Sequence, residues 1–564
     1  MNKIIVLLLF VFVSYSFVLA QETRPNEFQS RYHVLHPDEL KNSRSMQKDF
    51  SITEPPPGPV RSIAEFERNQ GVIISRSASG YFGVPLALIA SLSNQVMVYV
   101  IVSDVSWNTT VSNQLQGAGV NMDNVTLINY AIDSYWSRDY SPWFIAYDEP
   151  PKVGIVDFPY NRPRPNDNNV PQNLGDYFDL EVFGMNLLHT GGNYMSDGMG
   201  VAASTTLVYT ENEIQPQQVH QLAEDYLGIQ TYYLVQDPMD DYIEHIDCWG
   251  KFLDVDKILI GQVPESDDRY DDYEAVADYW ANQTSSYGNK FQVYRVYSPN
   301  GQPYTNSLIM NNQVYVPFIP NNQWNDEAQA SYEQAMPGYE IIGVSYQYWQ
   351  STDALHCRTH EVPDFGMLYI KHYPILDTIA YLENYPISAQ VISYSGSAIT
   401  DGSVKLHYRV NNSNYSTVNL ANTSGNEWVV DVSGLNPGDV VDYYLEASDA
   451  SGRTETHPFI GVADPHRFVV EESNRANTPT APVRFAVYPN PAKDRISLVS
   501  DYVEAGTISY AVYDIHGKII VSGHFVHQGG WQLQQIDISE WNAGIYFFKV
   551  SNGIVTETKR FIVY

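Results

Sequence analysis

Cysteine is almost missing from this chain. Among 564 residues only Cys248 and Cys357 carry a thiol, which in an exported protein permits one disulfide at most. Positive charge is scarce as well: 32 lysines and arginines face 65 aspartates and glutamates, a formal net charge of −33. Such a surface repels nucleic acid and anionic membranes and draws in cationic ligands, arginine-bearing ones included. No apolar run long enough to cross a bilayer follows the first twenty residues, so no transmembrane helix is expected in the mature protein.

The residues that are present describe a strand-rich globular protein of several domains. Aromatics make up 13% of the chain, led by 43 tyrosines, while charged residues are only 17%, the reverse of a disordered composition. This length predicts two to four domains. Asn2-Lys3, an apolar run over 4–18 and the small-residue end Leu19-Ala20 read as a secretory signal peptide over 1–20. Residues 21–58 are polar and proline-rich and read as a leader or linker.

From 59 to 375, strands and amphipathic helices alternate. One round has a strand over 71–75, a helix over 85–92 and a strand over 96–102. The next has a strand over 207–209, a helix over 216–227 and a strand over 231–235. In that helix Val219, Leu222, Ala223, Tyr226 and Leu227 form one apolar stripe, and Gly228 closes it. Two more rounds follow: strand 258–260, helix 271–281 and strand 291–294, then strand 314–317, helix 326–335 and strand 339–344. Each unit needs neighbours to bury its apolar face, which predicts an α/β array. Over 376–471 the helices stop, and alternating strands with Gly, Asn and Ser turns predict a β-sandwich of immunoglobulin-like class. A polar link over 472–483 leads to a last β-rich module, 484–564.

Chemistry concentrates where the two thiols lie. Cys357 sits in Thr352-Asp353-Ala354-Leu355-His356-Cys357-Arg358-Thr359-His360-Glu361, and Cys248 in Tyr242-Ile243-Glu244-His245-Ile246-Asp247-Cys248-Trp249-Gly250. Histidines and carboxylates around a thiol can make it reactive. A guanidinium is planar and permanently cationic, so two aspartates such as Asp139 and Asp247 could clamp its nitrogens and turn its carbon towards a thiolate. A histidine such as His245 could protonate departing ammonia and then activate water, leaving a ureido product. Blander readings stand beside this one: His245-x-Asp247 as a surface or capping pair, Asp139 paired with Arg138 on a loop, Thr190-Gly191-Gly192-Asn193 as a tight turn, and Cys248 bridged to Cys357.

Six motifs then occur in order: Asp133-Ser134-Tyr135-Trp136-Ser137-Arg138-Asp139-Tyr140, Asn161-Arg162-Pro163-Arg164-Pro165-Asn166-Asp167, Thr190-Gly191-Gly192-Asn193-Tyr194-Met195, His245-Ile246-Asp247-Cys248-Trp249-Gly250-Lys251, Tyr304-Thr305-Asn306-Ser307-Leu308, and the Cys357 stretch. Together they closely resemble the Porphyromonas-type peptidylarginine deiminases, from about residue 55 to about 468. The resemblance implies a pseudo-fivefold α/β propeller (the pentein fold) of the guanidino-group-modifying superfamily. It implies Cys357 as nucleophile, His245 as general acid/base, Asp139 and Asp247 as the guanidinium clamp and Asn306 as polar support. It also implies Trp136 as a wall for the substrate's aliphatic stem, and Arg162, Arg164 and Tyr242 as the recognition set for a C-terminal arginine carboxylate. Cys248 becomes a bystander, since a resting bridge to Cys357 would abolish the chemistry. The bacterial type resembled here does not require calcium, no calcium-loop pattern occurs in the chain, and neither a metal nor another cofactor is expected.

The end of the chain carries a second resemblance. Phe485-Ala486-Val487-Tyr488-Pro489-Asn490-Pro491-Ala492, Val512-Tyr513-Asp514-Ile515-His516-Gly517-Lys518, Ala543-Gly544-Ile545-Tyr546-Phe547-Phe548-Lys549-Val550 and the basic Lys559-Arg560 resemble the type IX secretion sorting domain. This implies export through the periplasm to the outside or the outer-membrane surface, with the type IX machinery as a partner. The expected protein is thus a secreted, monomeric, metal-independent deiminase that converts arginine in peptides, preferably C-terminal, to citrulline. The alternatives are an agmatine or free-arginine deiminase of the same fold and a non-catalytic arginine-binding adhesin.

Overall fold

The computed structural model describes residues 50–471, apart from 79 and 380, and most of 485–563. The signal peptide over 1–20, nearly all of the leader and the link over 472–483 lie outside the described residues. Thr53, within the 21–58 stretch, donates its backbone N–H to the Gly184 carbonyl at 3.1 Å, and the Tyr226 hydroxyl donates to the Thr53 carbonyl.

One small unit occurs five times between residues 61 and 363. In each, a strand runs antiparallel to a central strand, and a helical crossover brings a third strand parallel to that centre. One sheet holds Arg61–Ser62, Trp143–Tyr147, Lys152–Asp157 and Val182–Gly184, with the helix Val170–Phe178. The next has Met195–Ser196, Val201–Thr205 and Thr231–Val235 around Pro216–Leu227. Then come Gly250–Asp254, Lys257–Gln262 and Gln292–Tyr297 with the helix Tyr270–Asn282, and Leu308–Met310, Gln313–Phe318 and Glu340–Ser345 with Asn322–Ala335. In the last, His360–Pro363 pairs with Asn69–Arg76, so the end of the array closes on its beginning.

Sequence periodicity locates four of these units. The fifth, Trp143–Gly184, escapes because its helix Val170–Phe178 is only nine residues long and carries Pro171 and Gly175, and its last strand, Val182–Gly184, has three residues. The strand expected over 207–209 is the helix Leu207–Asn212, and the strand of that round is Val201–Thr205. The error has a physical source. Val201-Ala202-Ala203-Ser204-Thr205 is wholly buried yet short of large side chains, whereas Leu207-Val208-Tyr209 is a short apolar run whose helical or extended state its composition cannot decide.

Beyond the array, a β-rich region begins. Leu368–Lys371, Asn384–Ser393, Glu427–Ser433 and Ala421–Ser424 form one antiparallel sheet. Asp377–Ile379, His466–Val470, Val440–Ser448, Lys405–Val410 and Ser416–Asn419 form another, with Thr454–His457 alongside. Tyr385, Tyr443, Leu445 and Phe468 fill the core between them. Ion pairs fix this sandwich to the α/β array: Arg68 to Glu455 at 2.7 Å, Arg453 to Asp364 at 2.5 Å, and Lys257 to Asp464. The described residues of the terminal module form strands in two sheets that share a core of Ile496, Leu498, Val512, Phe548 and Phe561.

Candidate active site

The five units place five turns at equivalent points, each just before its first strand. These are Ser137–Tyr140, Gly191–Asn193, Ile246–Cys248, the loop at Asn306, and His356–Arg358. Hydrogen bonds and close contacts pass from each turn to the next. The Arg138 carbonyl lies so near Gly191 that a Cβ there would come within 2.0 Å of it. The Asn193 amide oxygen accepts from the Ile246 N–H at 3.3 Å. The Thr305 hydroxyl donates to the Cys248 carbonyl at 2.8 Å, the Asn306 carbonyl accepts from the His356 N–H at 3.1 Å, and Arg138 reaches the His356 carbonyl at 3.5 Å, completing a ring.

Inside the ring stand the side chains singled out in the sequence. Cys357 is fully buried, and its sulfur lies 3.8 Å from Asp247 Oδ2 and accepts from Asn306 Nδ2 at 3.3 Å. The Asn306 side-chain oxygen receives the N–H groups of His356 and Cys357 at 2.9 and 3.3 Å, so this one amide fixes both the turn and its thiol. Asp139 Oδ1 lies 3.7 Å from His245 Nδ1. Gly192 forms the floor between them: a Cβ there would sit 2.6 Å from His245 Nδ1, 2.8 Å from Asp139 Oδ1 and 3.3 Å from Asp247 Oδ2. Only a residue without a side chain admits that approach.

Several bland readings fail on this geometry. His245 and Asp247 are buried and not on the surface. Arg138 pairs with Glu361 at 2.5 Å and leaves Asp139 to the site. Thr190-Gly191-Gly192-Asn193 does turn, but as part of the ring. Both cysteines are free.

Trp136 is buried against Tyr135 and Cys357, and the Arg164 guanidinium stacks 4.9 Å from its ring. Arg164 also donates to the Tyr160 hydroxyl at 3.4 Å, and that hydroxyl lies 3.5 Å from Asp139 Oδ2. Arg162 donates to the Asn161 carbonyl at 3.2 Å. Tyr242 is half exposed, with its hydroxyl 3.4 Å from Thr352 Oγ1, and the Thr352 carbonyl lies 4.0 Å from the Cys357 sulfur. Contacts thus join Cys357, Asn306, Asp247 and Trp136 directly, Asp139 and His245 to each other, Arg164 through Trp136 and Tyr242 through Thr352. Among the described residues Arg162 makes no direct contact of this kind to the ring.

A buried charged chain behind the ring could not be read from the sequence. His356 Nδ1 meets Asp247 Oδ2 at 2.7 Å and its Nε2 meets Glu65 Oε2 at 2.9 Å, while Lys251 reaches the same Glu65 oxygen at 2.6 Å. Burial opposes ionisation of Glu65, but Lys251 and His356 together hold its carboxyl well below the usual range. A cavity of about 60 Å³, room for a few waters, borders Glu65, Arg138, Lys251 and His356. Glu65 lies nearly 200 residues from Lys251 with no motif around it, so no local pattern marks it.

Electrostatics in the ring favour a cation. Burial pushes the Cys357 thiol up to about 11; a hydrogen bond from Cys248 opposes this, and Asp247, Asp353 and Asp139 add to it. At neutral pH the thiol is therefore protonated until a positive charge enters among those carboxylates.

A family model described as Porphyromonas-type peptidyl-arginine deiminase matches residues 78–363, just over half of the chain. The chain belongs to this family. It is a deiminase of the guanidino-modifying kind. A second model, the secretion system C-terminal sorting domain, matches 486–564 and places this deiminase outside the cell or on the outer-membrane surface, delivered by the secretion machinery that reads the domain. A third, carbohydrate binding module family 56, matches 387–456 within the sandwich. Proteins named as agmatine deiminases from Yersinia pestis and Legionella pneumophila are 22% and 23% identical to it, each alignment covering 43% of this chain and 77% or 75% of theirs. Among solved structures, the agmatine deiminase of Enterococcus faecalis aligns at 18% identity and TM-score 0.49, over 56% of this chain and 99% of its own. A Porphyromonas gingivalis protein titled as an arginine deiminase aligns at 17% identity and TM-score 0.48, over 54% and 98%.

Proposed function

We propose that this deiminase acts on peptidyl arginine, preferably at a C-terminus, and converts it to citrulline with release of ammonia. The observation that carries the reading is the convergence of Asp139, His245, Asp247, Asn306 and Cys357, each from a ring turn or its edge, around one buried cation-seeking spot. Asp139 and Asp247 clamp the guanidinium, whose charge favours the thiolate of Cys357, the thiol proton passing to His245. The thiolate adds to the guanidinium carbon, His245 protonates the departing nitrogen, and ammonia leaves behind a thiouronium joined to Cys357. Water, deprotonated by His245, then attacks the same carbon and the thiolate is expelled, leaving the ureido group. Trp136 walls the aliphatic stem, while Arg162, Arg164 and Tyr242 receive the substrate's terminal carboxylate, a group that a guanidinium pairs with in a fork. The five units are read as blades of a pseudo-fivefold α/β propeller, and the sandwich as immunoglobulin-like.

Agmatine is the competing substrate, because the named relatives are agmatine deiminases. What favours a peptide is Arg164, stacked on Trp136, together with Arg162 two residues before it, in a chain that is otherwise strongly acidic. Agmatine has no carboxylate for them. The test compares a peptide ending in arginine, its amidated form and agmatine, with citrulline or carbamoyl product as readout. The terminal peptide is expected to give the highest kcat/KM, and faster turnover of agmatine sinks the peptide assignment.

A further inference from the structure

Cys248 takes no part in the chemistry above, yet it sits in the ring. Its sulfur lies 3.6 Å from Asp247 Oδ1, and the Cys357 sulfur lies 3.8 Å from Oδ2 of the same carboxylate. The two sulfurs and an Asp247 oxygen all fall within 4.8 Å of one another, and all three residues are buried. We propose that Cys248, Cys357 and Asp247 form an inhibitory site for a thiophilic divalent cation of the zinc type, which occupies the place of the substrate guanidinium.

The three ligand atoms, none more than 4.8 Å from another, already stand close to the spacing such an ion sets. Two bonds of about 2.3 Å to sulfur at a tetrahedral angle set the sulfurs about 3.8 Å apart, and a bond of about 2.0 Å to oxygen sets it about 3.5 Å from each sulfur. A disulfide would instead need the sulfurs at about 2.05 Å, so it demands movement in a packed ring. Two thiolates and one carboxylate select a soft ion over calcium or magnesium. The same acidic surroundings that draw in a guanidinium draw in a metal ion. Its hydrogen bond to Cys357 and burial keep the Cys248 thiol protonated beforehand, and burial keeps Cys357 so against that same bond, so each ion bound displaces two protons: one Zn²⁺ and two thiols give a zinc bis-thiolate and two H⁺. Guanidinium and metal share Asp247 and Cys357, so their binding is mutually exclusive. Cys248 alone separates them, since only the metal uses it.

The loss of turnover rests on the deiminase reading, while the metal binding rests on the geometry alone. The purified full chain is titrated with Zn²⁺ while citrulline is measured. Inhibition is expected at one ion per chain, competitive with the arginine substrate, reversed by a chelator and tighter as pH rises. Cys248→Ser should keep turnover within about threefold and need at least about tenfold more Zn²⁺ for the same inhibition. Equal zinc sensitivity in this variant overturns the site. Co²⁺ serves as a probe independent of turnover: a thiolate-to-cobalt charge-transfer band should form in the wild type and weaken in both Cys248→Ser and Cys357→Ser. A band unchanged in either variant rejects the proposal. Should Cys248→Ser fail to fold, alkylation of the wild type at alkaline pH decides, with Zn²⁺ expected to protect both cysteines together. Protection of Cys357 alone rejects the site. A normal cobalt band without citrulline formation would instead refute the peptidyl-arginine reading and leave the metal site standing.

Discussion

Titratable side chains are buried in two places that can be set side by side. In the ring of turns, Asp139, His245, Asp247 and Cys357 converge with Gly192 held bare beneath them. In the seam between the α/β array and the sandwich, His372, His457 and His466 are buried just as deeply, but they pair with one another and their surroundings. His372 meets the Ser388 carbonyl at 2.6 Å and the Tyr443 hydroxyl at 3.0 Å, and His457 meets His466 at 3.0 Å and the Tyr287 hydroxyl at 3.3 Å. Burial alone therefore does not mark a site. The ring gathers acids and a thiol that disfavour one another until a cation arrives, whereas the seam gathers neutral groups that already satisfy one another.

The sharpest break in this comparison is removal of a group from each region. Cys357→Ala should lower citrulline formation by at least about a thousandfold and leave the melting temperature nearly unchanged, because the lost thiol sits among carboxylates that disfavour its ionisation. His372→Gln should do the reverse, keeping turnover and lowering stability. Measured activity in Cys357→Ala would remove that thiol from the mechanism.

Gly192→Ala tests the ring more finely. The added methyl would collide with His245 and Asp139 at 2.6 and 2.8 Å, so one of them must shift. Displacement of either proposed catalytic group by a fraction of an ångström to an ångström predicts a fall in kcat/KM of about a hundredfold. Full activity would mean that neither side chain needs its present position. At the edge of the site, Arg162→Ala combined with Arg164→Ala should lower kcat/KM for a terminal arginine by about tenfold or more and leave the amidated peptide nearly unchanged. Loss on both substrates alike would assign these arginines to the packing around Trp136 instead.

How much of this was legible in the sequence follows from the range of each interaction. The helix Pro216–Leu227 showed itself through an apolar stripe and its closing glycine, both local. The Trp143–Gly184 unit did not, because its helix Val170–Phe178 is short and carries Pro171 and Gly175. The residues of the ring were found through the resemblance of whole motifs, since no spacing connects Asp139 to Cys357 across more than two hundred residues. Glu65 and Lys251 were missed altogether. Their pairing with His356 exists only once the array closes and brings the first unit against the last. Gly192 was visible as a turn glycine, but the reason for it lies in two side chains from other units.

The remaining predicted effect concerns the seam, bears on stability and not on turnover, and needs its sign worked out. Burial lowers His372 to about 4, with its bond to the Ser388 carbonyl opposing, and burial beside neighbouring histidines holds His457 and His466 well below the usual value. An unfolded histidine takes up its proton near pH 6.5. Above that pH both states are neutral and the seam's stability is complete; as pH falls from 6.5 towards 4, the unfolded chain binds protons that the folded seam refuses, and stability is lost. For His372 alone the loss at pH 5 is about 2 kcal/mol. Burial raises Asp157, Asp167, Asp237 and Asp254 to about 7, and these carboxyls act in the opposite sense, gaining stability on acidification. The total pH slope therefore mixes both signs, and the histidine part is isolated as a difference. His372→Gln keeps a hydrogen-bonding side chain but cannot titrate, so its stability deficit relative to the wild type should shrink by about 2 kcal/mol between pH 7 and pH 5 in denaturant unfolding. A deficit that stays constant over that interval would show that His372 charges in place, and that the seam is as open to a proton as the ring is to a cation.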